Sequence, residues 1–256
     1  MKEMVRAMVA LGDLLMPRTC PVCGRTLDLN ERHLCLYCAA DLPLTYFWKR
    51  SHNPMADRLN DVLRDQEGMP YAFAAALLFY ADESPYKMIP RTLKYEGGLS
   101  LGRYFGRMLG GFLAGSPVFR NVDAVVPVPL HWWRKYRRGY NQAAVIARAV
   151  AEKLGVPCRE DLLRRRRSTR TQTRLGAGER ARNVAGAFVP GRGRIPGTRP
   201  GMTERAGAGM TGPVHVLLVD DVFTTGATTA ACFRVLRTLL PAGSRISVAT
   251  LSFVER

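Results

Sequence analysis

The chain has no apolar stretch as long as the roughly 18 residues that a membrane-crossing helix needs, which excludes a helical transmembrane protein. We also expect no export signal. Residues Met1 to Met16 space Val5, Met8, Val9, Leu11, Leu14 and Leu15 as a helix would, but Glu3, Arg6 and Asp13 interrupt the apolar core a signal peptide requires. We read this segment as a docking helix and expect a cytoplasmic protein without membrane insertion. No internal repeat is visible, which removes solenoids and propellers. Acidic residues are scarce: 21 Asp and Glu face 38 Lys and Arg, a net charge of +17. The surplus is concentrated, with fifteen Lys and Arg against four Asp and Glu in residues 131–182. Such a region attracts polyanions, either nucleic acid or a small molecule with several phosphates. A solvated basic face gives the same surplus, and charge alone does not choose among these partners.

What is present is the composition of a globular protein. Of 256 residues, 47% are apolar, enough for a real core in one large or two small domains.

Four of the six cysteines form two pairs, Cys20-Pro-Val-Cys23 and Cys35-Leu-Tyr-Cys38, eleven residues apart. Each pair can place two thiolates on one tight turn, and two such turns face to face make a tetrahedral sulfur site for Zn²⁺. Gly24 eases the first turn. Redox pairs are the alternative, but a thioredoxin-like pattern is absent. Four thiolates close the coordination sphere, so the zinc is expected to be structural. The segment is too small for a large core of its own, and metal binding would supply much of its folding free energy. His33 reads as a surface residue, Cys232 as helical core, and Cys158, after Pro157, as part of a turn.

The most informative segment is Val216-Leu-Leu-Val-Asp-Asp-Val-Phe-Thr-Thr-Gly-Ala-Thr-Thr229. A short, β-branched apolar run reads as a buried parallel strand over 214–219. Asp220 and Asp221 then stand at its carboxyl end, where ligands of open α/β sheets bind. Thr224, Thr225, Gly226, Ala227 and Thr228 offer backbone N–H groups and hydroxyls at the start of a helix, a natural cradle for phosphate. A strand, a tight turn and a Thr-capped helix is the plainer alternative.

Elsewhere the periodicity predicts strands over 72–80, 122–126 and 246–253, and helices over 84–94, 99–114, 141–154 and 228–240. Alternating strands and helices over 71–256 argue for a parallel-rich sheet. We divide the chain into a helix and zinc module (1–45), a connector (46–70) and an α/β domain (71–256) with a flexible Gly/Pro-rich insertion over 190–213.

Three further segments carry groups suited to a phosphate-rich ligand. Val126-Pro-Val-Pro-Leu130, followed by His131, ends a strand, and Val128 and Pro129 would lie against a pyrophosphate. Arg134 to Gln142 supplies cations, Arg137 and Arg138 among them, that can neutralise a departing pyrophosphate. Arg164 to Leu175 places Arg170, Gln172 and Arg174 on one side of an extended loop, or else forms an exposed basic arm. His131 is the nearest candidate for a general base. Trp132, Trp133, Tyr136 and Tyr140 lie among the cations, as in single-strand binders. We expect two of these four aromatics in the core.

The acid-and-loop segment resembles the binding motif for 5-phosphoribosyl-1-pyrophosphate (PRPP) in type I phosphoribosyltransferases. The two CxxC pairs, Leu93-Lys-Tyr95, Pro127-Val-Pro-Leu130, Arg137-Arg-Gly-Tyr-Asn-Gln142 and Asn183-Val…Gly186-Ala-Phe188 precede it in order. Together they resemble the ComF/GntX family of double-zinc-ribbon, phosphoribosyltransferase-like proteins. The resemblance covers nearly the whole chain and departs from it at 190–213. It implies a type I phosphoribosyltransferase fold, a central parallel sheet with flanking helices behind a small zinc ribbon. It further implies that Asp220 and Asp221 contact ribose hydroxyls, that 224–228 wrap the 5′-phosphate, and that Mg²⁺ accompanies PRPP. The expected roles are phosphoribosyl transfer to a nitrogenous acceptor, or a binding module of DNA uptake that holds single-stranded DNA or a protein of the uptake machinery.

Overall fold

The computed structural model describes residues 10, 12, 17–64, 70–94, 98–167, 186–193 and 213–255. The N-terminal helix, Tyr95, Arg170, Gln172, Arg174, Asn183 and most of the 190–213 insertion lie outside them.

Four largely apolar strands form the central sheet. β1 (Ala74–Tyr80), β2 (Ala124–Pro127), β5 (His215–Phe223) and β6 (Arg245–Val254) are all parallel, in the order β1-β6-β5-β2. Val216, Leu217, Leu218 and Val219 are fully buried, as residues covered on both faces of a parallel sheet must be. β3 (Leu163–Arg165) and β4 (Phe188–Pro190) form a separate antiparallel ribbon. The fold class is therefore the expected one: a parallel α/β sheet with flanking helices, preceded by a small four-cysteine module.

Both outer strands have further chain against them. Beyond β1, the Thr45 amide donates to Leu77 O (3.0 Å) and the Phe79 amide to Pro43 O (2.8 Å). Beyond β2, the Val125 amide donates to Pro157 O (3.0 Å) and the Arg159 amide to Val125 O (2.7 Å). Cys158 is thus not in a turn. It pairs with Val125 in parallel and extends the sheet. Proline before it suggested a break, but an X-Pro step also suits extended chain.

The helices are α1 (Leu36–Ala40), α2 (Pro54–Leu63), α3 (Met88–Thr92), α4 (Gly98–Ala114), α5 (Trp132–Arg138), α6 (Gln142–Leu154) and α7 (Ala227–Leu239). α4 meets α6 through a stripe of glycines. A Cβ on Gly106 would lie 2.8 Å from Ala149 Cβ and 2.9 Å from Ile146 O, and one on Gly110 would lie 2.8 Å from Lys153 Cβ. Hydrogen at these positions lets the two helices pack backbone to backbone. α6 ends as expected, with Gly155 left-handed at φ 69°.

The connector is built into the core. Asn53 caps α2 by accepting from the amides of Met55 (3.1 Å) and Ala56 (3.0 Å), while its Nδ2 donates to Ala74 O (2.8 Å). Two turns on, Asn60 exchanges two bonds with the backbone of Ala72, each 2.9 Å. α2 is thereby fixed against β1. It is also fixed to α7, where Arg234 Nη2 donates to Val62 O at 2.7 Å. The first residues of the expected insertion are likewise bonded in place: the Gly191 amide donates to Leu162 O (2.8 Å) and the Gly193 amide to Asp161 O (2.9 Å).

Candidate functional site

The four cysteines converge. Cys20, Cys23, Cys35 and Cys38 bring their sulfurs within 4.8 Å of one another, close enough to bind a metal such as zinc. Two turns produce this. The Gly24 amide donates to Cys20 O (2.8 Å) with Gly24 at φ 75°, and Cys35 caps α1, its Sγ accepting from the Cys38 amide at 3.5 Å. Burial opposes a thiolate at Cys20, but the backbone amides of Cys35, Cys23 and Val22 outweigh it and bring that thiol down to about 7. Cys38 moves the other way, raised by burial and by the neighbouring cysteines. One negative charge is easily held in this cluster and further ones are resisted, a conflict that a cation removes.

The module docks on the α/β body. Tyr86 Oη donates to Cys38 O (3.2 Å) and to Asp41 Oδ2 (3.1 Å), and the His33 ring lies 5.0 Å from that of Tyr104 on α4. His33 is thus half-buried in a contact, not a plain surface residue.

The second site lies at the carboxyl end of β5. Pairing with β2 stops at Pro127–Val219, whereas pairing with β6 continues to Phe223–Phe253. β5 therefore outruns β2, and Asp220 and Asp221 sit on the overhang. The strand does not end at the acids, as the sequence suggested, because β6 still supplies a partner on one side. Consecutive strand residues point to opposite faces, so the two carboxylates flank the strand rather than stand side by side. Each also accepts from the next backbone amide: Asp221 N to Asp220 Oδ1 at 2.9 Å, and Val222 N to Asp221 Oδ1 at 2.8 Å. Burial raises the Asp220 carboxyl well above its usual range and the charge of Asp221 adds to this, while the Asp221 amide and Arg165 pull it back.

The loop after Phe223 turns through Gly226 at φ 78° into α7. A Cβ on Gly226 would meet Phe223 Cζ at 2.9 Å, so this position excludes side chains on two grounds. The backbone amides of Thr224, Thr225, Gly226, Ala227 and Thr228 donate to no acceptor among the described residues. Orphan amides at a helix N-terminus with an aligned dipole are what an anion requires.

A cleft of about 530 Å³ opens between the segment after β2 and the β3–β4 ribbon, and its charged residues are Lys135, Glu160, Arg164, Arg165 and Arg166. The two acids and residues 224–228 are not part of its lining, although Arg165 is near enough to act on Asp220. Pro129, Trp132 and Asn141 line it too. Arg165 is the innermost of these cations, and burial lowers its pKa. Val128 does not offer an N–H, since its amide donates to Val219 O (2.8 Å) and its carbonyl accepts from Asn141 Nδ2 (3.0 Å). Pro129 has none to give and serves as wall, while Val128 is buried and lies outside the cleft lining. Arg137 and Arg138 close the last turn of α5 and lie outside the cleft lining. Gln142 is buried, with its Nε2 lacking a partner among the described residues.

His131 is buried and caps α5, its Nδ1 accepting from the Trp133 amide at 3.3 Å, which removes that nitrogen from base duty. The aromatics depart from expectation: Trp132, Trp133 and Tyr136 are 67%, 49% and 78% exposed. Of the four, only Tyr140 is drawn inward, donating to Leu93 O at 2.7 Å. Sequence reasoning missed Arg58, whose Nη1 reaches the loop carbonyl of Thr224 at 3.1 Å. Nothing local in α2 signals that contact.

Fold and site together define a parallel α/β protein with a run of amides lacking acceptors among the described residues after the overhanging end of β5, and a four-cysteine module docked on its flank. No protein-family model matches the chain. It is similar to competence protein F of Haemophilus influenzae, 30% identical over 60% of this chain, and it spans 63% of that protein's length. It is also 28% identical to the DNA utilization protein YhgH of Escherichia coli O157:H7, over 85% of this chain and 83% of that one. The chain is thus similar to competence-related proteins, in line with the resemblance of its motifs to the ComF family. Among solved structures, it overlaps loosely with a glutamine PRPP amidotransferase from B. subtilis (TM-score 0.36, 20% identity, 62% of this chain, 30% of that one). An adenine phosphoribosyltransferase from Leishmania tarentolae overlaps at TM-score 0.31 and 11% identity, over 66% of this chain and 74% of that one. Overlaps this loose carry no argument.

Proposed function

We propose that the chain binds PRPP with Mg²⁺ at the end of β5 and transfers its phosphoribosyl group to a nitrogenous acceptor, in the service of DNA uptake. One observation supports this above the others: five amides without acceptors among the described residues lead into a helix just beyond a strand overhang that carries two carboxylates. The cradle takes the 5′-phosphate. Asp220 and Asp221 take the ribose hydroxyls. The cleft cations Lys135, Arg164, Arg165 and Arg166 take the pyrophosphate and its growing charge as the C1–O bond opens. Mg²⁺ would arrive with PRPP, held mainly by substrate oxygens rather than by a protein cage, and would offset phosphate charge. Zn²⁺ fills the four-cysteine cluster and serves structure. Calorimetric titration of the whole chain with PRPP is the test. We expect one site per chain that requires Mg²⁺ and is displaced by ribose 5-phosphate. No saturable heat, with or without Mg²⁺, rejects the proposal.

A second reading is favoured by α5. Its exposed Trp133 and Tyr136 rings stack at 6.1 Å and 21°, among Lys135, Arg137 and Arg138. Aromatic faces between cations suit single-stranded DNA. Anisotropy of a labelled oligodeoxynucleotide should show affinity falling steeply with salt, and Trp133→Ala should weaken it by about 1–3 kcal/mol. A flat salt response removes this reading.

A further inference from the structure

Arg58 connects the connector helix to the cradle. It lies in α2, 166 residues ahead of the loop it touches. A single nitrogen, Nη1, donates to Thr224 O at 3.1 Å and to Val254 O at 2.7 Å, and the guanidinium carbon sits 4.7 Å from the centre of the Phe253 ring. The side chain thus fastens the first residue of the loop after β5 to the last residue of β6. Its own base does not move, because Asn53 and Asn60 fix α2 on either side of it.

A peptide unit is planar and trans, so its C=O and the following N–H point in opposite directions. Holding the Thr224 carbonyl therefore fixes the direction of the Thr225 N–H, one of the five amides without an acceptor. A charged donor on the carbonyl also polarises that peptide and makes its N–H a stronger donor. Arginine suits this position because it stays charged at any working pH, and its flat face rests on Phe253 while its edge donates.

We infer that Arg58 is the positioning residue of the phosphate cradle, setting its affinity for a sugar 5′-phosphate without touching the ligand. The inference rests on the proposed reading of the 224–228 loop and adds a part the motif does not contain. It makes a segment ahead of residue 71, where the sequence suggested that the α/β domain begins, responsible for the site.

The experiment titrates the full chain with ribose 5-phosphate and, separately, with inorganic pyrophosphate and Mg²⁺. Three variants are compared with the original: Arg58→Met, which keeps the stem and removes the donors; Arg58→Gln, which keeps a donor without charge; and Arg58→Lys, which keeps the charge. Arg58→Met should weaken ribose 5-phosphate about tenfold and leave pyrophosphate within about twofold, with Arg58→Lys recovering most of the loss. If Arg58→Met does not fold, Arg58→Gln and Arg58→Lys decide by the same contrast. Unchanged ribose 5-phosphate affinity overturns the inference, as does an equal loss of both ligands alongside a lower melting temperature, the mark of a merely structural residue. A folded original chain that binds pyrophosphate but no ribose 5-phosphate overturns the cradle reading itself, a distinct result.

Discussion

Asp220→Asn is expected to stabilise the fold at neutral and alkaline pH while weakening the ligand. Burial and the charge of Asp221 raise the Asp220 pKa in the folded chain above its ordinary value of 3.8. The folded chain therefore keeps a proton that the unfolded chain has released. Stability associated with that proton is complete below the unfolded pKa and is lost as pH rises through the folded one. Asparagine has no proton to lose. Melting curves followed by circular dichroism from about pH 4 upward should be flatter for the variant, and it should melt above the original chain at the upper end. Asp221→Asn addresses the function side. If the carboxylates orient the ribose ring, PRPP turnover should fall by about 10²–10³-fold with the fold intact. Full activity in Asp221→Asn, or an Asp220→Asn variant that melts lower at every pH, would show that these carboxylates serve only the loop's geometry.

Removing the proposed zinc should have the largest structural effect. Cys35 is fully buried, caps α1 and accepts from the Cys38 amide, so Cys35→Ser changes a proposed metal ligand and a turn together. Structural zinc contributes on the order of 10–16 kcal/mol in isolated fingers. We expect Cys35→Ser, or chelation of the original chain, to abolish bound zinc by elemental analysis and to expose the amides of residues 17–41 to hydrogen exchange. The sheet amides of β5 and β6 should stay protected, because their partners are each other. Disturbance should reach one step further, to Tyr86, whose hydroxyl is satisfied by Cys38 O and Asp41. Undiminished protection of 17–41 after chelation would assign the cluster another role.

Much of this was legible in the sequence. Two CxxC pairs read as one cluster because ligand spacing is a local property of turns. The helix from Gln142 and its glycine stop, and the apolar strand before the acids, carry periodicity and punctuation that survive without tertiary context. What was missed depends on chain brought from elsewhere. Val222 and Phe223 belong to a strand only because β6 runs alongside. The extension at Cys158 exists only because β2 has a free edge. Two of the four aromatics over 132–140 were expected in the core, but Trp132, Trp133 and Tyr136 are exposed and Tyr140 alone of the four turns inward. Arg58 had no signature at all, since its partners are two carbonyls far along the chain. The orphan amides of 224–228 were foreseeable from the motif. That the Val128 amide was already committed to Val219 was not.

The backbone bonds from Pro43 and Thr45 to β1 bear on how the chain can be divided. An excised fragment beginning at residue 71 would retain every residue of the acid-and-loop motif. It would also leave the outer flank of β1 with bare carbonyl and amide groups from Leu77 to Phe79, a template for self-association. We therefore expect the smallest fragment that folds with the 224–228 loop in place to reach back at least to Pro43.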